Sequence, residues 1–232
     1  MDHQPLGIHS TVSRLRSFET LSLISFGAIA GGLLLLQHLI GEVLEGEPLP
    51  LDEAALLFFR MPGNLQQPIG PAWLGHAASD VTSLGGVTVL GLVTLLTATY
   101  LAIAGKRALS LFVFLSVSGG WLVSTLLKIL VARQRPSIVP HLVEVSDLSF
   151  PSGHAMLSAV TYLTLGVLVS QGRSRVERAY IVGCAILLTA LIGTSRVFLG
   201  VHYPSDVMGG WCAGAIWALS CWVIGRRFAI IR

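Results

Sequence analysis

Charge is what this sequence has least of. Only 12% of its 232 residues are Asp, Glu, Lys or Arg, against the roughly 25% carried by a soluble domain. So few charges cannot cover a folded surface in water. With 53% hydrophobic residues and a mean hydropathy of +0.75, the chain falls in the membrane class. Cysteine is also scarce. Cys184, Cys212 and Cys221 lie inside apolar runs with no metal-ligand spacing, and an odd number in lipid excludes a disulfide framework. They read as small packing residues. No low-complexity segment and no internal repeat stands out. The net charge of +3 is small, and no nucleic-acid partner is expected.

What the chain does have is long uncharged runs. Residues 20–41, 81–105, 108–127, 148–172, 179–195 and 207–225 contain no Asp, Glu, Lys or Arg. Each supplies the roughly 17–25 apolar residues of a bilayer-spanning helix. Residues 61–79, "MPGNLQQPIGPAWLGHAAS", are also uncharged, but their three prolines and their Asn and Gln residues argue against a span. The expected fold is an all-α integral membrane protein of six transmembrane helices. Residues 1–19 form a cytoplasmic tail and 20–232 one transmembrane domain. The paired glycines Gly31–Gly32, Gly119–Gly120 and Gly209–Gly210 are suited to close helix approach.

The positive charges set the orientation. With the N-terminus inside, the inner segments hold Arg14, Arg16, Lys106, Arg107, Arg173, Arg175, Arg178, Arg226, Arg227 and Arg232. The outer ones hold Arg60, Lys128, Arg133, Arg135 and Arg196. This bias gives an N-in, C-in topology. The first outer loop adds Glu42, Glu45, Glu47, Asp52 and Glu53, which agree but weigh little. A cleaved signal peptide with "AIAG" as its site is disfavoured, because the apolar run continues beyond a signal core of about 7–15 residues. Residues 51–62, "LDEAALLFFRMP", read as a short amphipathic helix at the outer interface.

Lys128, Arg135 and Arg196 break the charge rule. Each stands at the outer end of an apolar run, where an ionisable side chain is costly unless paired or functional. One such residue can snorkel to headgroups. Three of them close to His154, His202 and Asp206 suggest a site. By the topology, 128–136, 151–154 and 195–206 face the same outer side, so three cations, two imidazoles, a carboxylate and two helix N-termini converge. That set suits a phosphate dianion.

These segments read K-x6-R-P at Lys128, Arg135 and Pro136, P-S-G-H at Pro151–His154, and S-R-x5-H-x3-D at Ser195, Arg196, His202 and Asp206. In this order they resemble the signature of the type 2 phosphatidic acid phosphatase family, in the superfamily shared with vanadium haloperoxidases. The match covers about the last half of the chain and departs at no signature position.

The resemblance implies phosphate binding by Lys128, Arg135, Ser152, Gly153 and Arg196. It implies His202 as the nucleophile that forms a phosphohistidine, and His154 as the acid that protonates the leaving alcohol. The chemistry fits the residue types. Guanidinium forks match phosphate oxygens, and Gly153 lets backbone N–H groups approach. An imidazole attacks only through an unprotonated nitrogen, and a carboxylate on its other nitrogen fixes that tautomer; Asp206 has that place. Pro151 suits a helix start, with Ser149 as a cap, and Pro204 starts the last helix with Asp206 in its first turn. Arg133, Glu144 and Asp147 lie close to the site in sequence and either adjust its charge or solvate the loop, the loop role being the one expected. His3, His9, His38, His76 and His141 match no motif position.

The function implied is an integral membrane lipid phosphatase with its site at the outer membrane face, as in a bacterial cytoplasmic membrane. Its substrates would be phosphatidic acid, phosphatidylglycerol phosphate, an isoprenyl diphosphate or a lipid A phosphate. No metal or cofactor is expected, and vanadate only as an inhibitor or phosphate mimic. Three alternatives stay open: a lipid phosphotransferase using the same phosphohistidine, a vanadate-dependent peroxidase, and a non-enzymatic six-span transporter. The oligomeric state is not legible.

Overall fold

The structure, a computed structural model, describes residues 8–46 and 49–231, with side chains from residue 23 onward. Expectations for residues 1–7, Glu47 and Arg232, and for the side chains of Arg14 and Arg16, lie outside the described residues.

Helix α1 (Ile8–Leu44) begins well before the expected span, because no proline or glycine interrupts residues 8–20. Helix α2 (Pro50–Phe58) starts on a proline, with Asp52 and Glu53 in its first turn, both favourable at a helix N-terminus. It stops four residues before the expected boundary. The chain then makes an antiparallel hairpin of β1 (Arg60–Met61) and β2 (Asn64–Pro68). Pro62 and Gly63 form the turn, and Gly63 takes a φ of +82°, the conformation that a proline–glycine turn requires. This short hairpin is a local addition to an otherwise all-α fold.

Helix α3 (Ala72–Ser83) and α4 (Val87–Ile103) follow, then α5 (Arg107–Val131), α6 (Gly153–Val169), α7 (Arg175–Phe198) and α8 (Pro204–Arg227). Each of the six uncharged runs contains helix, the run 81–105 being divided between α3 and α4. By length and composition, residues 23–44, α5, α7 and α8 suffice to cross a membrane. Helices α3 and α4, bent by 42° at their break, are together long and apolar enough to make a fifth. The run 81–105 is therefore a broken element rather than one straight helix, interrupted at Gly85 and Gly86. Helix α6 has 17 residues, about 26 Å at 1.5 Å per residue, slightly short of a ~30 Å hydrocarbon core.

The bundle is organised around α6, whose residues 155–161 are all buried. Its closest neighbour is α8. A Cβ on Gly210 would stand 2.7 Å from Ser152 O, and one on Gly214 would stand 2.6 Å from Met156 O. The small-xxx-small spacing thus lets two backbones meet, as in membrane helix pairs. Gly32, Gly119, Gly120 and Gly209 also have side chains where a Cβ would sit, whereas Gly31 has none. Large apolar residues such as Leu34, Leu96, Ile103, Leu130 and Leu187 point outward, as expected where lipid is the solvent.

Helix α2 does not simply lie at an interface. Leu56 is fully buried against Val139, Ala155, Val197 and Val207. Asp52, one turn earlier on the same face, is buried too, while Leu51, Leu57 and Phe58 are exposed.

Candidate active site

Four helix ends meet at one end of the bundle. Helix α5 delivers Lys128 in its last turn, and Ala132, at φ +51°, turns the chain out into the loop carrying Arg133 and Arg135. Helix α6 begins at this end, with Gly153 and His154 in its first turn. Helix α7 ends there with Arg196 in its last turn. His202 lies between α7 and α8, and Asp206 occupies the first turn of α8. The starts of α6 and α8 are joined directly, since Ser152 N donates to Asp206 O at 2.9 Å.

A cavity of about 390 Å³ lies between these ends. Its lining includes Lys128, Arg135, Gly153, His154, Arg196 and His202. Of the expected site residues, Ser152 and Asp206 are buried behind it. Ser152 is the N-cap of α6, its Oγ accepting from Ala155 N at 3.5 Å. The cap expected of Ser149 is therefore made by Ser152.

Ser149 has another partner. Its Oγ donates to Asp206 Oδ2 at 2.5 Å and lies 3.4 Å from His202 Nδ1. Asp206 Oδ2 is also 3.4 Å from His202 Nδ1 and accepts from Tyr203 N at 2.9 Å. On the opposite edge of the ring, Arg135 Nη1 lies 3.2 Å from His202 Nε2. A guanidinium can only donate, so Nε2 is an acceptor and the ring proton belongs on Nδ1, facing Asp206 and Ser149. Burial drives the His202 imidazole down to about 4, against the opposing pull of Asp206. The resting ring is neutral, with its Nε2 lone pair held by Arg135.

Arg133 does more than solvate the loop: it contacts the buried acids behind the site. Its Nη1 donates to Asp206 Oδ1 at 2.8 Å and to Ser205 Oγ at 2.7 Å. Its Nη2 donates to Asp52 Oδ2 at 2.9 Å. Asp52 in turn accepts from Ser205 N at 2.9 Å and from Ser205 Oγ at 2.6 Å. The guanidinium lies 4.1 Å over the Tyr203 ring. Burial lowers the Arg133 pKa, but Asp206 and Asp52 outweigh it and raise it overall. Helix α2 is thereby connected to the His202–Asp206 pair.

The other cations have different partners. Lys128 Nζ donates to Leu148 O and pairs with Asp147 Oδ2 at 3.1 Å. Arg135 Nη2 donates to Asp147 Oδ1, and Arg135 Nε to Asp147 O at 2.7 Å. Burial would raise the Asp147 carboxyl, but Lys128 and Arg135 hold it at about 2. Arg196 is buried, with Nη1 donating to Thr82 Oγ1 at 3.1 Å and Nε without a partner among the described residues. Such an orphan donor is costly in a dry interior.

The wall beside His154 is the α3–α4 break. A Cβ on Gly85 would stand 2.4 Å from Ile192 Cγ2 and 3.3 Å from His154 O. Val87, Trp121 and Leu157 line both the cavity and an adjoining groove of about 200 Å³ between α4 and α5, where Leu90, Gly91, Leu95, Phe114 and Val117 are apolar.

A multi-pass integral membrane protein whose helix ends gather cations, two imidazoles and a buried carboxylate around one cavity has the composition of a phosphate-handling membrane protein. Residues 107–229 match the PAP2 superfamily. The chain belongs to that superfamily, in its membrane lipid phosphatase branch. It is 30% identical over 148 residues to phosphatidylglycerophosphatase B of Bacillus subtilis, covering 62% of this chain and 71% of that one. The crystal structure of the transmembrane PAP2-type phosphatidylglycerolphosphate phosphatase from Bacillus subtilis superposes with a TM-score of 0.72 at 25% identity, covering 88% of this chain and 98% of that one. The decaprenylphosphoryl-5-phosphoribose phosphatase of Mycobacterium tuberculosis is 38% identical over 96 residues, 40% of this chain and 48% of that one. The chain thus spans about half the length of this last relative.

Proposed function

We propose that this protein hydrolyses a lipid phosphate or diphosphate through a phosphohistidine on His202, without a metal. The observation that carries the reading is the adjacency of two spaces. A cavity lined by Lys128, Arg135 and Arg196 shares Val87, Trp121 and Leu157 with the apolar groove between α4 and α5. A phosphate head fits the first and a hydrocarbon tail the second. Relatives that act on phosphatidylglycerol phosphate and on a decaprenyl phosphoribose phosphate agree with that class and leave the tail open.

In the first step His202 Nε2 attacks phosphorus. The N–P bond forms as the P–O bond to the lipid alcohol breaks, and Arg135, Arg196 and Lys128 stabilise the charge on the remaining phosphoryl oxygens. Asp206 accepts the Nδ1–H hydrogen bond, stays ionised and steadies the imidazolium as it forms. A bound dianion favours the protonated form of His154, which gives its proton to the departing alkoxide. In the second step water attacks phosphorus, His154 takes a proton from it, and the N–P bond breaks to release phosphate and free His202. The cations supply the charge stabilisation that a metal ion would otherwise give.

The proposed setting is a bacterial cytoplasmic membrane, with six crossings formed by residues 20–232, both termini inside and the site outside. Lys106, Arg107, Arg173, Arg175, Arg226 and Arg227 lie at the helix ends opposite the cavity, which accords with the positive-inside rule. The test is a panel of lipid phosphates given to purified protein in EDTA, as wild type, His202→Ala and His154→Ala. Phosphate release by the wild type, lost in His202→Ala, is expected. Retained activity in His202→Ala overturns the mechanism. Phosphate release below substrate consumption identifies a transferase instead.

A further inference from the structure

Among the described residues, Asp147 is the one acidic side chain paired with the cavity's cations Lys128 and Arg135. Its two oxygens take the two most accessible cationic groups, Oδ1 receiving Arg135 Nη2 and Oδ2 lying 3.1 Å from Lys128 Nζ. The side chain is 59% exposed, so rotation about its own bonds carries the carboxylate out to solvent without moving a helix. The backbone contacts would stay behind. Arg135 Nε donates to Asp147 O at 2.7 Å, and Lys128 Nζ to Leu148 O. Both cations would therefore keep their orientation after the carboxylate leaves.

We propose that Asp147 is a tethered anion that competes with the substrate for Lys128 and Arg135, and that it thereby selects dianionic phosphate heads over monoanionic ones. The inference deepens the phosphatase reading above and rests on its assignment of these cations to phosphate. The charges account for the selection. Lys128, Arg135 and Arg196 carry three positive charges, and with Asp147 present the set falls to two. A phosphomonoester dianion or a diphosphate brings at least two charges and three terminal oxygens, so it can replace the carboxylate on both cations and still reach Arg196. A phosphodiester head has one charge and two terminal oxygens, no more than the carboxylate it must displace. The carboxylate also has the advantage of a tether, which gives it a high effective concentration. A membrane consists largely of phosphodiester lipids. A site with three open cations would be occupied by them, and Asp147 keeps it free.

The test reads inhibition and binding together. Purified protein in a neutral detergent hydrolyses dioctanoyl phosphatidic acid while inorganic phosphate or dioctanoyl phosphatidylglycerol is added, and inorganic phosphate binding is also measured by calorimetry at pH 8. The wild type is expected to be inhibited by phosphate and hardly by phosphatidylglycerol. Asp147→Asn should bind phosphate about tenfold more tightly, the scale of one lost charged hydrogen-bonding competitor, and should become sensitive to phosphatidylglycerol. Asp147→Glu should restore the discrimination. Equal inhibition of the wild type by inorganic phosphate and by phosphatidylglycerol, or unchanged or weaker phosphate binding in Asp147→Asn, overturns the proposal. If phosphate binding tightens in Asp147→Asn while neither protein hydrolyses any lipid phosphate, the phosphatase reading fails and the tethered-anion proposal stands.

Discussion

Asp52 and Asp206 share one guanidinium. Arg133 Nη2 donates to Asp52 at 2.9 Å and Nη1 to Asp206 at 2.8 Å, so a residue of the short helix α2 acts on the carboxylate that orients His202. Neither acid is exposed, and the pairing is well shielded from water and salt.

Arg133→Lys should therefore slow turnover more than it weakens binding. A lysine amine is a point donor and cannot span both carboxylates. Partners that orient a functional imidazole are typically worth about 10–100-fold, and a fall of that order in kcat with little change in KM is expected. Asp52→Asn should act in the same direction by a smaller factor. Removing the charge altogether in Arg133→Ala leaves two buried acids unpaired, at about 3–5 kcal/mol of stability, readable as a lowered Tm. An unchanged kcat in Arg133→Lys would show that Arg133 is structural only.

The pH dependence follows from the burial of His202. Its folded value of about 4 lies below the ordinary 6.5. Between those values the unfolded chain binds a proton that the folded chain refuses. Stability therefore falls as pH drops from about 6.5 to about 4, and rises with pH across that window. Thermal unfolding at a series of pH values should show a steeper acid decline for wild type than for His202→Gln. The same burial keeps Nε2 unprotonated at neutral pH, so protonation of this ring should not set an acid limb of the rate profile above about pH 4.

Gly85 leaves no room for a side chain. Its Cβ would overlap Ile192 Cγ2 on α7 at 2.4 Å and press on the His154 carbonyl at 3.3 Å. Gly85→Ala should lower stability by about 1–3 kcal/mol, the usual range for overpacking. It should also depress activity by shifting the first turn of α6. Measured Tm and kcat should fall together.

Gly91 is the opposite case. Nothing lies within 4 Å of a Cβ placed there, and the residue lines the groove between α4 and α5. Gly91→Phe fills that groove without a clash at its Cβ. The KM for long-chain lipid phosphates should rise about 5- to 150-fold, the scale of about 1–3 kcal/mol for a pocket that loses apolar contacts, while a dioctanoyl substrate is affected much less. Equal effects on both would place the tail elsewhere.

Lys128, Arg196 and Asp206 were legible because each sits at the edge of an uncharged run, where an ionisable group is conspicuous. Arg133 was not, since it occupies an unspecified place between Lys128 and Arg135 and looks like one more loop cation. Asp52 lies 81 positions before it, on a helix whose acids suit a simple helix start. What betrays Asp52 is its place one turn before Leu56 on a single face, which puts a carboxylate on the side that must be buried. Ser149 was assigned to the wrong partner because two serines three residues apart both precede the helix, and only packing decides which one caps it. The hairpin could have been read from Pro62–Gly63 between short polar and apolar segments. The α3–α4 bend had its signal too, in the Gly85–Gly86 pair inside an otherwise continuous apolar run.

The seam of Gly210 and Gly214 against α6 has a mechanical consequence. His154 rides on the first turn of α6, and His202 sits two residues before α8. The two helices touch backbone to backbone and are joined at their starts by Ser152 N and Asp206 O. They behave as one bracket. A thicker or thinner bilayer tilts the bundle as a body, changing how deep a lipid head must travel to arrive. The gap between the two imidazoles stays fixed, so bilayer thickness should govern access to the reaction and leave its geometry alone.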